Sequence, residues 1–247
     1  MDERKPRLSV IVPAYNEAER ISKTLLAIDK YLSEQEYAYE ILVVIDGAKD
    51  ATEEVVRSFE STIANLRTVA NKENHGKGYV VRQGMLEAKG QWRLFMDADG
   101  ATSLSYVEDM WPLADSGYKV IISSRDSKDA KGAGQAVKQS LVKRILGNGS
   151  NILIQIFGVW GVWDTQNGFK MFHEDAAERI FQVARIDRWG FDIEALALAR
   201  HFGYRIGIIG VQWKNDPRSH VPLSAYITTF TELLKIRLNL IRGVYDA

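Results

Sequence analysis

The sequence predicts an α/β fold in which a mostly parallel β-sheet is covered by helices on both faces. Short apolar runs alternate along the chain with stretches whose apolar residues recur at helical spacing. The short runs are apolar throughout, which is typical of strands that are buried on both sides. At 247 residues, with 46% of them hydrophobic, the chain is long enough to bury a sizeable core.

Five apolar runs define the predicted strands. The first is closed by Pro13 and the second ends at Asp46-Gly47, and both are residue types that commonly terminate strands. The fourth directly precedes Asp97. The predicted strands cover residues 8–12, 41–45, 66–69, 92–96 and 120–123.

Helices are predicted between these strands. The first opens at Asn16 or Glu17, whose side chains suit a helix N-terminus. The second covers residues 52–59 and the third covers residues 78–88. The inward face of the first helix carries Ile21, Leu25, Leu26 and Ile28.

Polar residues follow several of the predicted strands. Because the carboxyl ends of parallel strands meet at one edge of a sheet, these residues are expected to converge there. They are Tyr15, Asn16, Glu17, Asp46, Asp97 and Asp99. The sequence therefore predicts a ligand site at this edge.

Charge and cysteine content exclude several classes of protein. The 32 basic and 32 acidic residues give a net charge of zero, which disfavours a generally basic nucleic-acid-binding protein but not a local basic patch. The absence of cysteine excludes disulfides, thiolate zinc sites and cysteine nucleophiles. The N-terminus lacks the apolar core of a secretory signal, and no apolar stretch reaches the roughly 20 residues of a membrane span. A cytoplasmic protein is therefore expected.

Asp97-Ala98-Asp99 is the leading candidate for a metal site. Two carboxylates separated by one residue at a strand end can share a divalent cation that prefers hard oxygen ligands, Mg²⁺ or Mn²⁺. Such a cation keeps coordination positions open for phosphate oxygens. An ordinary turn at Asp99-Gly100 is the alternative interpretation.

Three further segments carry candidate ligand-binding residues. One contains Gly76 and Lys77, which allow close approach to a phosphate and add positive charge, although their spacing excludes a Walker A loop. Residues 164–170 combine a carboxylate, an amide and a glycine, a set suited to sugar hydroxyls. Farther along, Asp192 and Glu194 stand at the predicted start of a helix, where their side chains diverge.

Six short motifs carry a family resemblance. They are Val12-Pro-Ala-Tyr-Asn-Glu17, Asp46-Gly47 with Asp50, Gly76-Lys-Gly78, Asp97-Ala-Asp99, Asp164-Thr-Gln-Asn-Gly-Phe169 and Arg188-Trp-Gly-Phe-Asp192. In this order they resemble the motifs of family 2 glycosyltransferases, and the resemblance covers about residues 7–220. Within that family, the chain is most similar to the enzymes that transfer glucose or mannose to dolichyl phosphate, and the glucosyl enzymes are the better match.

The resemblance implies a GT-A fold, which is a Rossmann-like three-layer sandwich, and a nucleotide-diphosphate sugar as donor, UDP-glucose or GDP-mannose. It also implies that Asp97 and Asp99 bind Mg²⁺ or Mn²⁺. The implied nucleotide-sugar ligands are Pro13, Ala14, Tyr15, Glu17, Asp46, Gly76, Lys77, Asp97, Ala98 and Asp99. The implied catalytic residues are Asp97, Asp99, Asp164, Gln166 and Asp192.

The acceptor that the resemblance implies is a polyprenyl or dolichyl phosphate, whose oxygen attacks the anomeric carbon in line and inverts it. Because that oxygen is already anionic near neutral pH, no strong general base is required. An anionic acceptor requires cations, and residues 124–150 contain six basic and two acidic residues. Arg125 and Arg144 are the candidates in this segment, because guanidinium groups bind phosphate through a fork of donors.

The C-terminal residues 221–247 are predicted to form an amphipathic helix outside a single catalytic domain of residues 1–220. The apolar face of this helix and the apolar run 152–163, with Trp160 and Trp163, are expected to meet lipid. Packing of the helix on its own domain is the alternative. The protein is thus expected to be peripheral on the cytoplasmic face of a membrane.

Three other functions stay open: a glycosyltransferase with a soluble acceptor, a sugar nucleotidyltransferase, and a non-catalytic nucleotide-sugar-binding protein. A nucleotidyltransferase would need a glycine-rich basic loop after the first strand, where the sequence has Pro13 to Glu17 instead. A protein without activity would not need both Asp97 and Asp99.

Overall fold

The computed structural model describes residues 5–135, 151–213 and 223–246. The strands are β1 (Leu8–Ala14), β2 (Tyr39–Asp46), β3 (Leu66–Asn71), β4 (Trp92–Met96), β5 (Val120–Ser124), β6 (Gly134–Gln135), β7 (Phe169–His173), β8 (Ile206–Gly210) and β9 (Gln212–Trp213). The helices are α1 (Ile21–Ser33), α2 (Thr52–Phe59), α3 (Lys77–Glu87), α4 (Val107–Asp115), α5 (described over 151–157), α6 (Glu174–Val183), α7 (Phe191–His201) and α8 (Leu223–Ile241).

The central sheet has seven strands in the order β3-β2-β1-β4-β7-β5-β8, and β6 pairs separately with β9. Neighbouring strands of the central sheet are parallel, except that β7 is antiparallel to both β4 and β5. The predicted α/β fold with a mostly parallel sheet is therefore confirmed, and all five predicted strands are present. Sequence patterning misses β7, because Lys170 and His173 interrupt its apolar run.

Helices cover both faces of the sheet. Successive strand residues point to opposite faces, so that Ile11 of β1 packs in one apolar cluster and Val10 and Val12 pack in the other. The first cluster includes residues of α3, α5, α6, α7 and α8, and the second includes residues of α1, α2 and α4. This arrangement makes three layers.

The first helix begins later than predicted, at Ile21 rather than at Asn16 or Glu17. Asn16 has a left-handed backbone with φ of 53°, and its Oδ1 accepts a hydrogen bond from the backbone N–H of Lys49. The N–H of Glu17 is donated to Thr52 Oγ1. The predicted start is wrong because these groups join two loops instead of capping a helix.

Helix α8 packs on the domain and also presents an apolar face outward. Leu233 and Ile236 are fully buried in the cluster that contains α7. The opposite side exposes a row of apolar residues at helical spacing, which we call the α8 stripe: Ile227, Phe230, Leu234, Leu238 and Ile241. Within the described residues, no helix is both long and apolar enough to cross a bilayer. The predicted domain boundary near residue 220 lies outside the described residues.

Candidate active site

The predicted site residues lie at one edge of the sheet. The carboxyl ends of β1, β2, β3 and β4 meet there, and the strand order reverses between β1 and β4, which is where ligands bind in open α/β sheets. Because β7 runs in the opposite direction, its first residue, Phe169, lies at the same edge, where it pairs with Met96. The segment from Asp164 to Gly168 is thereby brought next to Asp97.

The loops that follow β1 and β2 hold each other in place. Asp50 accepts hydrogen bonds from the backbone N–H of Ala18 and from the backbone and hydroxyl of Thr52.

The residues at the end of β1 differ in exposure. Pro13 and Ala14 are buried, whereas the side chain of Tyr15, which follows them, is 39% exposed at the edge of the sheet. An exposed aromatic face there can stack on a planar ligand.

Glu17 and Asp46 are both engaged within the protein. Arg20 binds both carboxylate oxygens of Glu17. The buried carboxylate of Asp46 accepts hydrogen bonds from the backbone N–H groups of His75 (2.7 Å) and Gly76 (2.9 Å), and from the Asn74 side chain (2.8 Å). Asp46 therefore fixes the loop that leads to Lys77.

Asp97 lies at the centre of the edge. Lys77 Nζ is 2.5 Å from its Oδ1, and its backbone N–H donates to the carbonyl of Gly168 at 3.1 Å. A Cβ on Gly168 would lie 2.2 Å from Asp97 Oδ2. The Asp97 carboxylate therefore occupies space that a side chain at position 168 would otherwise fill. Burial alone would lower the pKa of Lys77, but Asp97 and Asp192 outweigh it and raise that pKa above its ordinary value.

Asp99 and Asp97 together fit a divalent cation. Burial and the neighbouring charge of Asp97 raise the pKa of Asp99, which shows that the two carboxylates repel each other. A bound cation relieves that repulsion, and two carboxylates are the protein ligands that Mg²⁺ commonly takes when phosphates complete its shell. The described residues contain no cluster of three or more His, Cys, Asp or Glu side chains that could hold a metal ion.

Arg125 and Asp164 form a close ion pair beside Asp97. The Arg125 backbone N–H and Nε both donate to Asp164 Oδ2, and Nη2 donates to Oδ1, each at 2.8 Å. Burial disfavours the charged form of both residues, but the charge and hydrogen bonds of the partner have the larger effect. The pKa of Asp164 is therefore lowered, and the pKa of Arg125 is raised. The Arg125 guanidinium also lies 5.1 Å from the ring centroid of Trp213. Arg144 lies outside the described residues.

Asp192 and Glu194 diverge, as predicted, from the first turn of α7. Asp192 Oδ1 accepts a hydrogen bond from Lys170 Nζ, and both side chains are buried. Burial raises the pKa of Asp192, although Lys170 and Lys77 oppose the rise. Glu194 instead accepts hydrogen bonds from Tyr245 Oη (2.6 Å) and from two backbone N–H groups of a neighbouring loop. Glu194 is therefore part of the scaffold.

Gln166 and Trp189 stand at the rim of the site. Gln166 is exposed, and its Nε2 lies 3.4 Å from the carbonyl oxygen of Trp189. Trp189 is 37% exposed. Both side chains are accessible to a ligand that enters from solvent.

Sequence reasoning overlooked the individual roles of Lys170 and Gly168, although both lie in a segment that it selected. Lys170 is a lysine in an otherwise apolar strand and is fully buried. Lysine is seldom buried without a partner, so a lysine within the apolar stretch 169–172 was a usable signal for a carboxylate nearby.

The sequence matches the family described as glycosyl transferase family 2 over residues 9–181. The chain belongs to that family. Curated relatives include dolichyl-phosphate β-glucosyltransferases from Trichomonas vaginalis (36% identity, 97% of this chain and 76% of the relative) and Homo sapiens (31%, 99% and 79%). A third, from Dictyostelium discoideum, is 35% identical over 96% of this chain and 76% of its own.

Solved structures of glycosyltransferases share the fold. Glucosyl-3-phosphoglycerate synthase from Mycobacterium tuberculosis, in complex with Mn²⁺, UDP and glucosyl-3-phosphoglycerate, has a TM-score of 0.68 and 16% identity, covering 94% of this chain and 80% of its own. S. aureus TarS 1-349 has a TM-score of 0.61 and 19% identity, covering 95% and 65%. The GT-A fold implied by the sequence motifs is thus confirmed.

Proposed function

We propose that this chain transfers glucose from UDP-glucose to dolichyl phosphate or a related polyprenyl phosphate, with inversion at the anomeric carbon. The observation that carries the proposal is the cluster of Asp97, Asp99 and Lys77 at the sheet edge, beside the Arg125–Asp164 pair. It offers a cation site next to fixed positive charge, which suits two phosphate-containing substrates. The acceptor and the sugar follow from the names of the curated relatives.

The donor is proposed to lie across the loops after β1, β2 and β3. Tyr15 offers a stacking surface for the base, while Asp46 fixes the loop that carries Gly76 and Lys77. Asp97 and Asp99 would hold Mg²⁺ or Mn²⁺, which when bound neutralises charge on the leaving diphosphate. Lys77 adds a second positive charge on the same side.

In the proposed reaction, a phosphate oxygen of the acceptor forms a bond to C1 of glucose as the bond from C1 to the UDP β-phosphate oxygen breaks. UDP leaves with the electron pair of the broken bond. Glucose is α-linked in UDP-glucose, so a single displacement gives the β-linkage named for the relatives. The attacking oxygen is already anionic, and so Asp192, paired with Lys170, is assigned to positioning the sugar rather than to removing a proton.

Arg125 is proposed to contact the acceptor phosphate, with Arg144 as a second cation. The ion pair with Asp164 holds the Arg125 guanidinium in one orientation, and the guanidinium has further N–H donors for a phosphate. Asp164 then acts by positioning Arg125. In this proposal Asp164 is not assigned to binding the sugar directly, because both of its carboxylate oxygens already accept hydrogen bonds from Arg125.

A polyprenyl phosphate is embedded in a bilayer, so the enzyme must reach a membrane surface. The α8 stripe and the exposed side chains of Ile152, Ile156 and Trp160 around α5 offer apolar surface for this contact. Trp163, by contrast, is partly covered, and Lys128 Nζ lies 3.8 Å from its ring centroid. We place the protein on the cytoplasmic face, in peripheral contact.

The test is incubation with radiolabelled UDP-glucose or GDP-mannose, polyprenyl phosphate and Mg²⁺ or Mn²⁺, followed by organic extraction. Label from UDP-glucose should enter the organic phase, and chelation should abolish the transfer. Label that moves only to a water-soluble product would favour the alternative of a soluble acceptor. Transfer from GDP-mannose alone would overturn the assignment of the donor.

A further inference from the structure

An open groove lies between the C-terminal ends of α7 and α8. Its volume is about 370 Å³. It is separate from the active site, since Arg200 stands eight residues beyond Asp192 on α7, which corresponds to about 12 Å along the helix axis. The groove is lined by Gly158, Ala197, Arg200, His201, Arg237, Leu240 and Ile241.

Two arginines give the groove positive charge. Arg200 and Arg237 are exposed, and neither guanidinium group has a hydrogen bond or ion pair with any residue that the structure describes. His201 is different, because its Nε2 lies 2.5 Å from Asp246 Oδ1, and that carboxylate is therefore engaged. Two guanidinium groups on neighbouring helices, neither of them in an ion pair with a described residue, suit an anion that accepts several hydrogen bonds, and phosphate is such an anion.

The groove is continuous with the α8 stripe. Ile241 belongs to both, and its side chain is 69% exposed. Arg237 follows Leu234 by three residues and precedes Ile241 by four, so it lies beside the stripe on the helix surface. Positive charge at the border of exposed apolar surface matches an amphiphile, with its phosphate in the groove and its chains along the stripe.

We propose that the groove formed by Arg200 and Arg237 binds the phosphate headgroup of an anionic phospholipid in the bilayer. This inference rests on the membrane contact in the proposed function and adds a second phosphate site to it, distinct from the acceptor site at Arg125. The groove sets which membrane surface the enzyme prefers, whereas the site at Asp97 performs the transfer.

The test is flotation of the full chain with two kinds of vesicle, one of phosphatidylcholine alone and one of equal parts phosphatidylcholine and phosphatidylglycerol. The wild type should bind the anionic vesicles more tightly. Each arginine near an anionic surface raises the affinity for that surface about fivefold. The affinity of R200Q/R237Q for anionic vesicles should therefore be about thirtyfold lower than that of the wild type, and its affinity for neutral vesicles should change little. The single variants should each lose about fivefold.

A matched control removes two positive charges elsewhere. Lys23 and Lys30 are exposed on α1, across the sheet from α8, so K23Q/K30Q should bind both vesicles as the wild type does. An equal loss in this control, or equal binding of the wild type to both vesicles, would overturn the proposal. Binding of inorganic phosphate to the wild type that is lost in R200Q/R237Q, together with equal binding of the wild type to both vesicles, would assign the groove to free phosphate instead.

Glucose transfer to a short polyprenyl phosphate in detergent separates this proposal from the proposed function. R200Q/R237Q should retain the wild-type rate there, because the groove is not part of the catalytic site. If the wild type shows no transfer while the vesicle results are as expected, the groove assignment stands and the proposed reaction fails.

Discussion

At the scale of single residues, the site contains three pairs of opposite charges. Lys77 binds Asp97, Arg125 binds Asp164, and Lys170 binds Asp192, so each charged group has a fixed position before a substrate arrives. Fixed charges need little reorganisation when charge develops on a leaving group. Gly168 contributes in a different way, by leaving room for the Asp97 carboxylate.

Replacing Gly168 with alanine should displace Asp97. The added methyl group would lie 2.2 Å from Oδ2, and a misplacement of about 1 Å at a catalytic group costs roughly a hundredfold in rate. We expect kcat/KM for glucose transfer to fall about a hundredfold. As a control, G207A adds a methyl group on β8, 3.1 Å from the end of the Leu113 side chain and 3.3 Å from the Tyr118 ring but away from Asp97, and should retain activity. Wild-type activity in G168A would show that the position of Asp97 is unimportant.

Arg125 and Asp164 should behave as a unit. R125A should raise the acceptor KM by about ten- to a hundredfold, the range of one hydrogen bond to a charged group, and leave the affinity for UDP-glucose nearly unchanged. D164N should have a similar effect, because it frees the guanidinium from its orientation. The double variant should then be no worse than the poorer single variant in steady-state kinetics. Additive losses, or an equal loss of donor affinity, would contradict the assignment.

At the scale of secondary-structure elements, α8 is tied to the loop that precedes α7. Glu232 of α8 accepts a hydrogen bond from the backbone N–H of Gly190 at 2.7 Å. Beyond the end of α8, the Tyr245 hydroxyl donates to Glu194, which also binds the backbone N–H groups of Arg185 and Ile186. The helix that carries the exposed stripe thus supports the loop that bears Trp189.

Replacing Tyr245 with phenylalanine should destabilise the fold in a pH-dependent way. Burial raises the pKa of Glu194, and the Tyr245 hydroxyl opposes the rise, so the hydroxyl stabilises the charged carboxylate. Loss of a hydrogen bond to a buried charge costs about 1–3 kcal/mol. A carboxyl with a raised pKa in the folded state contributes stability at low pH that is lost as the pH rises through that pKa, and Y245F should steepen this loss.

Urea unfolding of Y245F from pH 4 to pH 7.5 provides the measurement. The deficit relative to wild type should be largest at neutral pH and should shrink as the pH falls toward 4.5, the ordinary value for glutamate. Y118F is the control, since the Tyr118 hydroxyl makes no hydrogen bond with the described residues. A deficit that does not vary with pH would rule out ionised Glu194 as the partner.

The element scale also shows what sequence patterning can and cannot predict. Buried parallel strands such as β2 and β4 are predictable, because both faces are covered and the run is apolar throughout. The start of α1 is not, because Asn16 and Glu17 bond across to another loop. β7 is missed because its lysine is neutralised by Asp192, 22 positions away.

At the scale of the whole molecule, the convergence of the site is a property of the topology. The residues that follow strands β1 to β4 lie at one edge of the sheet. This convergence is predictable from the apolar runs in the sequence alone. Which charges pair at that edge was not predictable, because Lys77 and Arg125 meet their partners through tertiary packing that spacing along the chain does not encode. The candidate residues could therefore be chosen from the sequence, but not their partners.

Binding of donor and metal should stabilise the whole fold. A ligand at about 100 times its Kd adds about 2.7 kcal/mol, which raises Tm by roughly 5–10 °C for a chain of this size. UDP-glucose with Mn²⁺ should produce this shift in a thermal melt of the wild type. D99N should keep the wild-type Tm without ligand and lose most of the gain. The same rise in the presence of excess chelator would show that donor binding requires no metal.

The reversed direction of β7 has a consequence for how such an enzyme can diversify. The chain leaves the sheet at Ser124, beside the acceptor residues, and re-enters it at Phe169 on that same side. Because no described strand of the seven-stranded sheet lies between these two points, insertions or deletions there leave the strand pairings of that sheet in register while they change the surroundings of the incoming nucleophile. New acceptor preferences can thus evolve in the segment between Ser124 and Phe169 while the sheet that carries the proposed nucleotide-binding loops keeps its strand order.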